Sequence, residues 1–319
     1  MKVKMLANQV FLGNLRKRKL EERFDHSNPE RYGKFSEIFG KKEFGFILAG
    51  DLKKEIETGT PTKVYHFGKN LYPIHSSEGV ECELFLPSSF SPQPGILPSV
   101  ENVEKTMEYL EKMKNEGKIK HIINSKKGTL SEDKTSIFEL EEKGFPIPPT
   151  FQFKTYEELN KFMGENPGEY IVKHRYGHGG KDLYKINSKD TKPIKGINLE
   201  NFIVQKKVEI LNEKRIIFFE DEFLGARIIY DRHMPWEKEG QAERKHITEE
   251  YIPTKEELEN TWKIMKEFDA TVGCIDWIET KDKGNLFLEY NGFGTGYGKG
   301  PHPYNLNEKV ATKLKEKFL

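Results

Sequence analysis

The stretch Gly273-Cys-Ile-Asp276-Trp-Ile-Glu-Thr-Lys-Asp-Lys-Gly284-Asn-Leu-Phe-Leu-Glu289-Tyr-Asn291 decides how this chain is read. Two apolar-rich runs flank the polar turn Lys281 to Gly284, which has the composition of a β-hairpin. With that turn centred on Asp282 and Lys283, Asp276 lies opposite Glu289, and Asn291 follows two residues on, on the same face. Ile275, Trp277, Leu286, Leu288 and Tyr290 then point the other way, towards a core. Two carboxylates directly across a strand pair repel each other. A divalent cation turns that liability into a site. Two carboxylates and an amide suit a hard ion such as Mg2+, which keeps its remaining positions for water and phosphate oxygens. The competing reading is a solvated hairpin with scattered charge, and the segment alone does not separate the two.

A second chemical feature lies upstream, in Tyr170-Ile-Val-Lys173-His-Arg-Tyr-Gly177-His-Gly179-Gly180-Lys-Asp-Leu-Tyr-Lys-Ile186. A strand ends in a lysine, a glycine-rich turn follows, and a strand returns. The spacing is not that of a P-loop, and the loop leads into a strand instead of a helix. Glycines in such a loop let backbone amides fold over phosphate oxygens, although ordinary turn chemistry explains them too. His174 and His178 invite a zinc reading, but no third ligand is near.

Composition sets the bounds. The chain has 319 residues, enough for two or three lobes. Its 52 basic and 51 acidic residues leave a net charge of +1, so there is no electrostatic case for nucleic-acid binding. Charged residues make up 32% of the chain, yet 22 Phe, 13 Tyr and 3 Trp supply cores, which excludes disorder. Cys82 and Cys274 stand far apart in apolar runs, so no disulfide framework is expected and a reducing, cytoplasmic setting is. No run reaches membrane-spanning length, and no membrane partner is expected.

Caps and turns lay out the chain. Strands are expected at Phe44 to Leu48 and Glu83 to Leu86, before a proline-rich run from Pro87 to Pro98. The Arg16 to Lys19 cluster reads as a solvated helix face. Val103, Met107, Leu110 and Met113 recur at helical spacing. Ser131 reads as the cap of a helix that ends at Gly144, and Thr155 and Thr254 each open a capping box. Strand-like runs follow at Tyr170 to Lys173, Asp182 to Ile186, Phe202 to Val208, Arg215 to Phe219 and Phe223 to Ile229. This reading divides the chain into residues 1–120, 121–195 and 196–319.

Taken in order, these pieces resemble the ATP-grasp superfamily, in its branch of bacterial glutathione synthetases and ribosomal-protein glutamate ligases. The resemblance runs from Asn124 to Asn291. Asn124, Asp133-Lys134 and Gly144-x-Pro-x-Pro-x-Thr150 look like that family's approach to its nucleotide lobe. Lys134 and Lys173 match its two phosphate-binding lysines, and Gly177, Gly179 and Gly180 its flexible phosphate loop. Gln205, Lys206, Val208 and Glu209 stand in the segment where backbone groups read adenine and a glutamate holds ribose. Arg215 occupies the place of a phosphate-reaching arginine, and Asp276, Glu289 and Asn291 that of the metal ligands. Arg244-Lys-His246 departs from the family's Arg-x-Asn, and the glycine-rich run from Gly292 to Gly300 has no counterpart. The first lobe offers no match.

The resemblance implies an α+β ATP-grasp fold, two lobes clasping ATP, with a separate N-terminal α/β lobe. It implies an ADP-forming carboxylate–amine ligase that works through an acylphosphate. Mg2+ is the implied metal, with two ions and Mn2+ as a substitute. An acid and an amine, small molecules or peptides, are the implied substrates. Arg215 and Arg244 would stabilise charge at the reacting centre; Arg227 and Arg232 are further candidates for that role, although a surface arginine is the better fit to each. An ATP-grasp kinase acting on a hydroxyl shares every nucleotide and metal residue and stays open, as do a nucleotide-binding protein without turnover and a homo-oligomeric state.

Overall fold

The structure is a computed structural model, and it describes residues 1–7, 27–67, 73–87, 100–177, 183–230, 247–292 and 306–319. The described strands form three sheets.

The first sheet takes β1 (Val3–Ala7), β2 (Phe44–Leu48), β3 (Lys63–Phe67), β4 (Pro73–Glu78), β5 (Cys82–Leu86) and β6 (Ile119–Ile122), in the order β4-β3-β2-β1-β5-β6. β1 runs parallel to β2 and β5, and β5 parallel to β6. All five residues of β1 and of β2 are buried, as parallel strands covered on both faces require. The helices are α1 (Ser27–Phe39), α2 (Ala49–Thr58) and α3 (Val100–Asn115). Val103, Met107, Leu110 and Met113 bury one stripe of α3 against Leu6, Ile47 and Phe85.

Between Asn124 and Gly144 the chain departs from the sequence reading. Ser125 caps a short helix, α4 (Lys126–Leu130), by accepting the Gly128 amide. Ser131 closes that helix, donating its hydroxyl to the Lys127 carbonyl at 2.9 Å. Asp133 instead caps a 3-10 turn, Lys134–Ser136, which feeds α5 (Ile137–Glu142). Three good capping residues compete within a few positions, and packing decides between them. A Cβ at Gly128 would stand 2.9 Å from the Asp269 carbonyl, so α4 sits hard against the chain at 268–270.

The second sheet takes β7 (Thr150–Phe151), β8 (Glu169–His174), β9 (Leu183–Asn187) and β10 (Phe202–Lys206), in the order β7-β10-β8-β9, with α6 (Tyr156–Glu165) over it. The Thr155–Glu158 capping box opens α6. This lobe has a core of its own, built from Leu159, Met163, Tyr170, Val172, Phe202 and Val204. β10 pairs antiparallel with β8, although the sequence division at 195/196 puts it in the last lobe. Ile194 and Leu199 dock in the same core and carry the chain back to it.

The third sheet takes β11 (Ile210–Phe219), β12 (Glu222–Tyr230), β13 (Ile247–Glu250), β14 (Val272–Thr280) and β15 (Gly284–Asn291), antiparallel in the order β13-β12-β11-β14-β15. The Thr254–Glu257 capping box opens α7 (Lys255–Glu267), which packs on one face. The buried indole of Trp277 donates to Thr261 of α7 at 2.8 Å. α8 (Leu306–Phe318) places Leu306, Val310 and Leu314 in one core with Val3 and Phe46 of the first sheet and Ile217 and Val272 of the third. The first and third sheets therefore share a core. Asn124 ties them as well: its Oδ1 accepts the Thr271 and Val272 amides, and its Nδ2 donates to the Val272 carbonyl. No described helix is long and apolar enough to cross a membrane.

Candidate active site

β14 and β15 pair Asp276 with Glu289, Ile275 with Tyr290 and Cys274 with Asn291. The opposition read from the sequence is present, but it arises by another route. The closing turn holds three residues, Lys281 to Lys283, because Thr280 pairs with Gly284. That register alone would set Asp276 against Leu288. A bulge between Asp276 and Trp277 absorbs Leu288 and brings Glu289 into place. Leu288 is consequently half-buried instead of a core residue, and Phe287 takes the core position, its ring edge-on to Trp277. Asp276 is wholly buried and Asn291 is 1% exposed. The Asn291 amide donates to Asp276 at 3.0 Å and to Glu289 at 3.2 Å.

The pairings continue across the sheet and set Glu250, Arg227, Arg215, Asp276 and Glu289 in one row over five strands. Arg215 grips Asp276 with both arms of its fork: Nε donates to Oδ1 at 2.6 Å and Nη2 donates to Oδ2. Burial opposes the Arg215 cation, but Asp276 beside it outweighs that and raises it above the ordinary arginine value. Arg227 differs. Its Nε is buried and has no hydrogen-bond partner among the described residues. Burial, then the charge of Arg215, pushes its guanidinium down to about 10. Arg227 is thus not the surface arginine that its sequence context suggests. β12 is apolar on both sides of it, so alternation gives no hint of a site face.

Lys134 reaches this row from another direction. Its ammonium donates to the Gly177 carbonyl at 2.6 Å and lies 3.5 Å from Glu289. Lys173 donates to Gln205 at 2.5 Å, and Gln205 in turn donates to Thr150 at 3.0 Å. The structure therefore gathers Lys134, Arg215, Asp276, Glu289 and Asn291 in one cluster and links Lys173 with Gln205 in the second sheet. Lys206 ends β10, its amide donating to the Pro149 carbonyl. Val208 is half-buried and Glu209 exposed, both beyond the strand, which stops short of the Val208 limit read from sequence. His174 closes a turn, accepting the Tyr176 amide, with its ring on Phe202. Gly179, Gly180, His178, Arg232, Arg244, the Arg16 to Lys19 cluster and the run after Gly292 lie outside the described residues.

Two constellations escape a sequence reading. One is the ion pair of Asp133 with Arg175 beside Lys134. The other lies on the opposite face of the third sheet, where Lys214 donates to Glu257 at 2.9 Å and Asn285 at 3.1 Å and lies 3.0 Å from Glu279. Tyr251 donates to the second Glu257 oxygen at 2.6 Å. Burial works against both charges, but the contacts prevail: Lys214 is raised and Glu257 lowered from their ordinary values.

No protein-family model matches the chain, and no curated protein sequence matches it. Solved structures do. The ATP-grasp ligase PsnB complexed with a minimal precursor superposes at a TM-score of 0.63 and 14% identity, covering 99% of each chain. The macrocyclase MdnC bound with the precursor peptide MdnA, from Microcystis aeruginosa MRC, superposes at 0.62 and 14% identity, covering 99% of this chain and 100% of that one. A D-alanine–D-alanine ligase from Bacillus anthracis superposes at 0.60 and 13% identity, covering 100% of this chain and 96% of that one. The chain has the ATP-grasp fold. The likeness includes the first sheet, for which the sequence offers no resemblance.

Proposed function

We propose that this chain is an ATP-dependent carboxylate–amine ligase, activating an acid as its acylphosphate and releasing ADP and phosphate. The observation that carries this reading is the row Arg227–Arg215–Asp276–Glu289. Two guanidinium groups stand beside two carboxylates, and Asp276 accepts from Arg215 while Arg227 keeps a buried donor without a partner among the described residues. Such an arginine calls for an anion.

Among the described residues no three His, Cys, Asp or Glu side chains gather as a metal-binding group. Asp276, Glu289 and Asn291 offer two carboxylates and an amide, a donor set that fits Mg2+ when water or phosphate oxygens complete it. Turning the Asn291 amide over presents its oxygen where the nitrogen now faces both carboxylates. Bound there, Mg2+ supplies charge neutralisation to a triphosphate.

Lys134 and Lys173 would hold phosphate oxygens, with Gly177, Gly179 and Gly180 folding backbone amides over them. The backbone from Gln205 to Val208 would read adenine, and Glu209 the ribose. Arg215 and Arg227, with Arg244, would orient the acid and stabilise the charge that develops as its carboxylate attacks the γ-phosphate and then as the amine attacks the carbonyl carbon. The peptide and D-alanine substrates in the names of the structural neighbours support an amino-acid or peptide acid and amine. A kinase acting on a neutral hydroxyl would share the nucleotide and metal residues, and its ATP would offer Arg227 an anion too, so the requirement for an acid is what separates the two readings.

The test is a screen of amino acids and short peptides for ADP release with Mg2+ and ATP, with hydroxylamine present as a trap. Release that needs an acid, with hydroxamate formed from that acid, is the expected result. Release that needs only a hydroxyl compound, with no hydroxamate, overturns the reading in favour of the kinase.

A further inference from the structure

Asp133 enters the resemblance only as the neighbour of Lys134 and Arg175 does not enter it, and neither has a role in the chemistry above, yet they form a close pair at the edge of the site. Arg175 Nε lies 3.0 Å from each Asp133 oxygen, and Nη2 donates to Oδ2. The Asp133 side chain is 7% exposed and that of Arg175 is 21% exposed. Asp133 also accepts the Thr135 amide at 3.0 Å, capping the 3-10 turn that begins with Lys134. On the other side of the pair, Arg175 follows the last residue of β8, and its carbonyl accepts the Lys134 amide at 3.1 Å. Two residues later the Gly177 carbonyl accepts the Lys134 ammonium, which also stands by Glu289. One ion pair therefore fixes two backbone segments against each other, the turn that carries Lys134 and the chain that leads into the glycine-rich stretch.

We propose that Asp133 and Arg175 are positioning residues for triphosphate recognition, setting the backbone from Arg175 to Gly177 in register with Lys134 and, through it, with Glu289. The inference rests on the ATP reading above. A lysine ammonium is a point charge on a flexible stem, and it gains direction only from fixed neighbours. The planar fork of Arg175 on a buried carboxylate provides a fixed neighbour, because both partners have few other geometries open to them. Without the pair, Lys134 keeps its charge but loses its register with the Gly177 carbonyl. Groups that read phosphate then drift apart, while those that read the nucleoside, in the second lobe around Gln205 to Glu209, are untouched.

The experiment is calorimetric titration with Mg-ATP and, separately, with AMP, for the wild-type chain, Arg175→Leu and Arg175→Lys. Arg175→Leu should weaken Mg-ATP by at least ~10-fold and leave AMP within about 2-fold, with Arg175→Lys in between. A residue that merely holds the fold together would weaken both ligands alike. Equal weakening, or unchanged Mg-ATP affinity in Arg175→Leu, overturns the proposal while leaving the ATP reading intact. A wild-type chain that binds no Mg-ATP overturns the ATP reading and this inference with it. Should Arg175→Leu fail to fold, Asp133→Asn keeps a capping oxygen for Thr135 while removing the charge, and it is read in the same way.

Discussion

Lys214 and Arg215 are neighbours on β11 and serve opposite faces of one sheet. On the core face, Lys214 meets Glu257, Asn285 and Glu279, and Tyr251 satisfies the remaining Glu257 oxygen. On the other face, Arg215 has Asp276, but Arg227 beside it has a buried donor with no partner among the described residues. Charge is closed on one side and open on the other. A closed set of buried charges is satisfied by the fold itself and acts as structure. An open set raises the free energy of the folded chain until a ligand completes it, and clusters of that kind mark functional sites.

Substitutions can break this contrast in either direction. The largest effect is expected for Glu289→Gln, which should keep its melting temperature yet lose ~1000-fold in ADP production, because a neutral amide is a poor ligand for a hard dication. Lys214→Met should do the reverse. It leaves Glu257 buried without its cation and should cost about 3 kcal/mol in a denaturant titration, while the folded fraction still turns over. Activity lost with unchanged stability in Lys214→Met would erase the distinction between the faces. Arg227→Met comes next: ligation should fall ~100-fold, the scale of losing one charge-stabilising donor, whereas a melt should show equal or higher stability, since a strained cation has gone.

Acid should separate the faces further. Glu257 is held below the ordinary carboxylate range, so the folded chain binds its proton less readily than the unfolded chain does. Its contribution is present above about pH 4.3 and is lost as pH falls through the folded value. Glu257→Gln should therefore flatten the acid limb of a melting-temperature profile, and Arg227→Met should leave that limb in place. The smallest effect belongs to Thr254→Ala, which removes the cap that accepts the Glu257 amide and should cost about 1 kcal/mol, with activity unchanged.

The site is partly legible in the amino-acid sequence, and for an instructive reason. Alternation along Gly273 to Asn291 puts Asp276, Glu289 and Asn291 together. The expected register is right only because a turn one residue shorter than Lys281 to Gly284 and the Leu288 bulge offset each other. Bulges leave little trace in composition, so the exchange of faces between Phe287 and Leu288 goes unnoticed. Lys173 is readable from its place at a strand end, whereas Lys134 is reached only through the resemblance, since the expected cap is Ser131 and the turn that carries Lys134 is capped by Asp133. Arg227 is not readable, because its meaning comes from Arg215 on the next strand, a pairing that no local pattern encodes. The first lobe is opaque for a related reason. β1 lies between β2 and β5, and short apolar runs in a parallel sheet reveal neither their neighbours nor their order.

The core shared by the first and third sheets bears on how the chain is made. Val3 packs in the same cluster as Phe35 and Phe39 of α1 and as Leu314 of α8, so this face of β1 is covered partly by a helix close in sequence and partly by one far along the chain. The second lobe is different, with its core drawn from residues between Leu159 and Val204. On a ribosome that lobe can settle while synthesis continues, because every residue its core needs emerges close together in time. The first sheet can pair its strands early, but α1 seals that side only in part until Leu306–Phe318 has been translated. A nascent chain halted before Leu306 would leave the apolar patch that α8 covers open to water and to chaperones, and release of α8 would be the event that closes it.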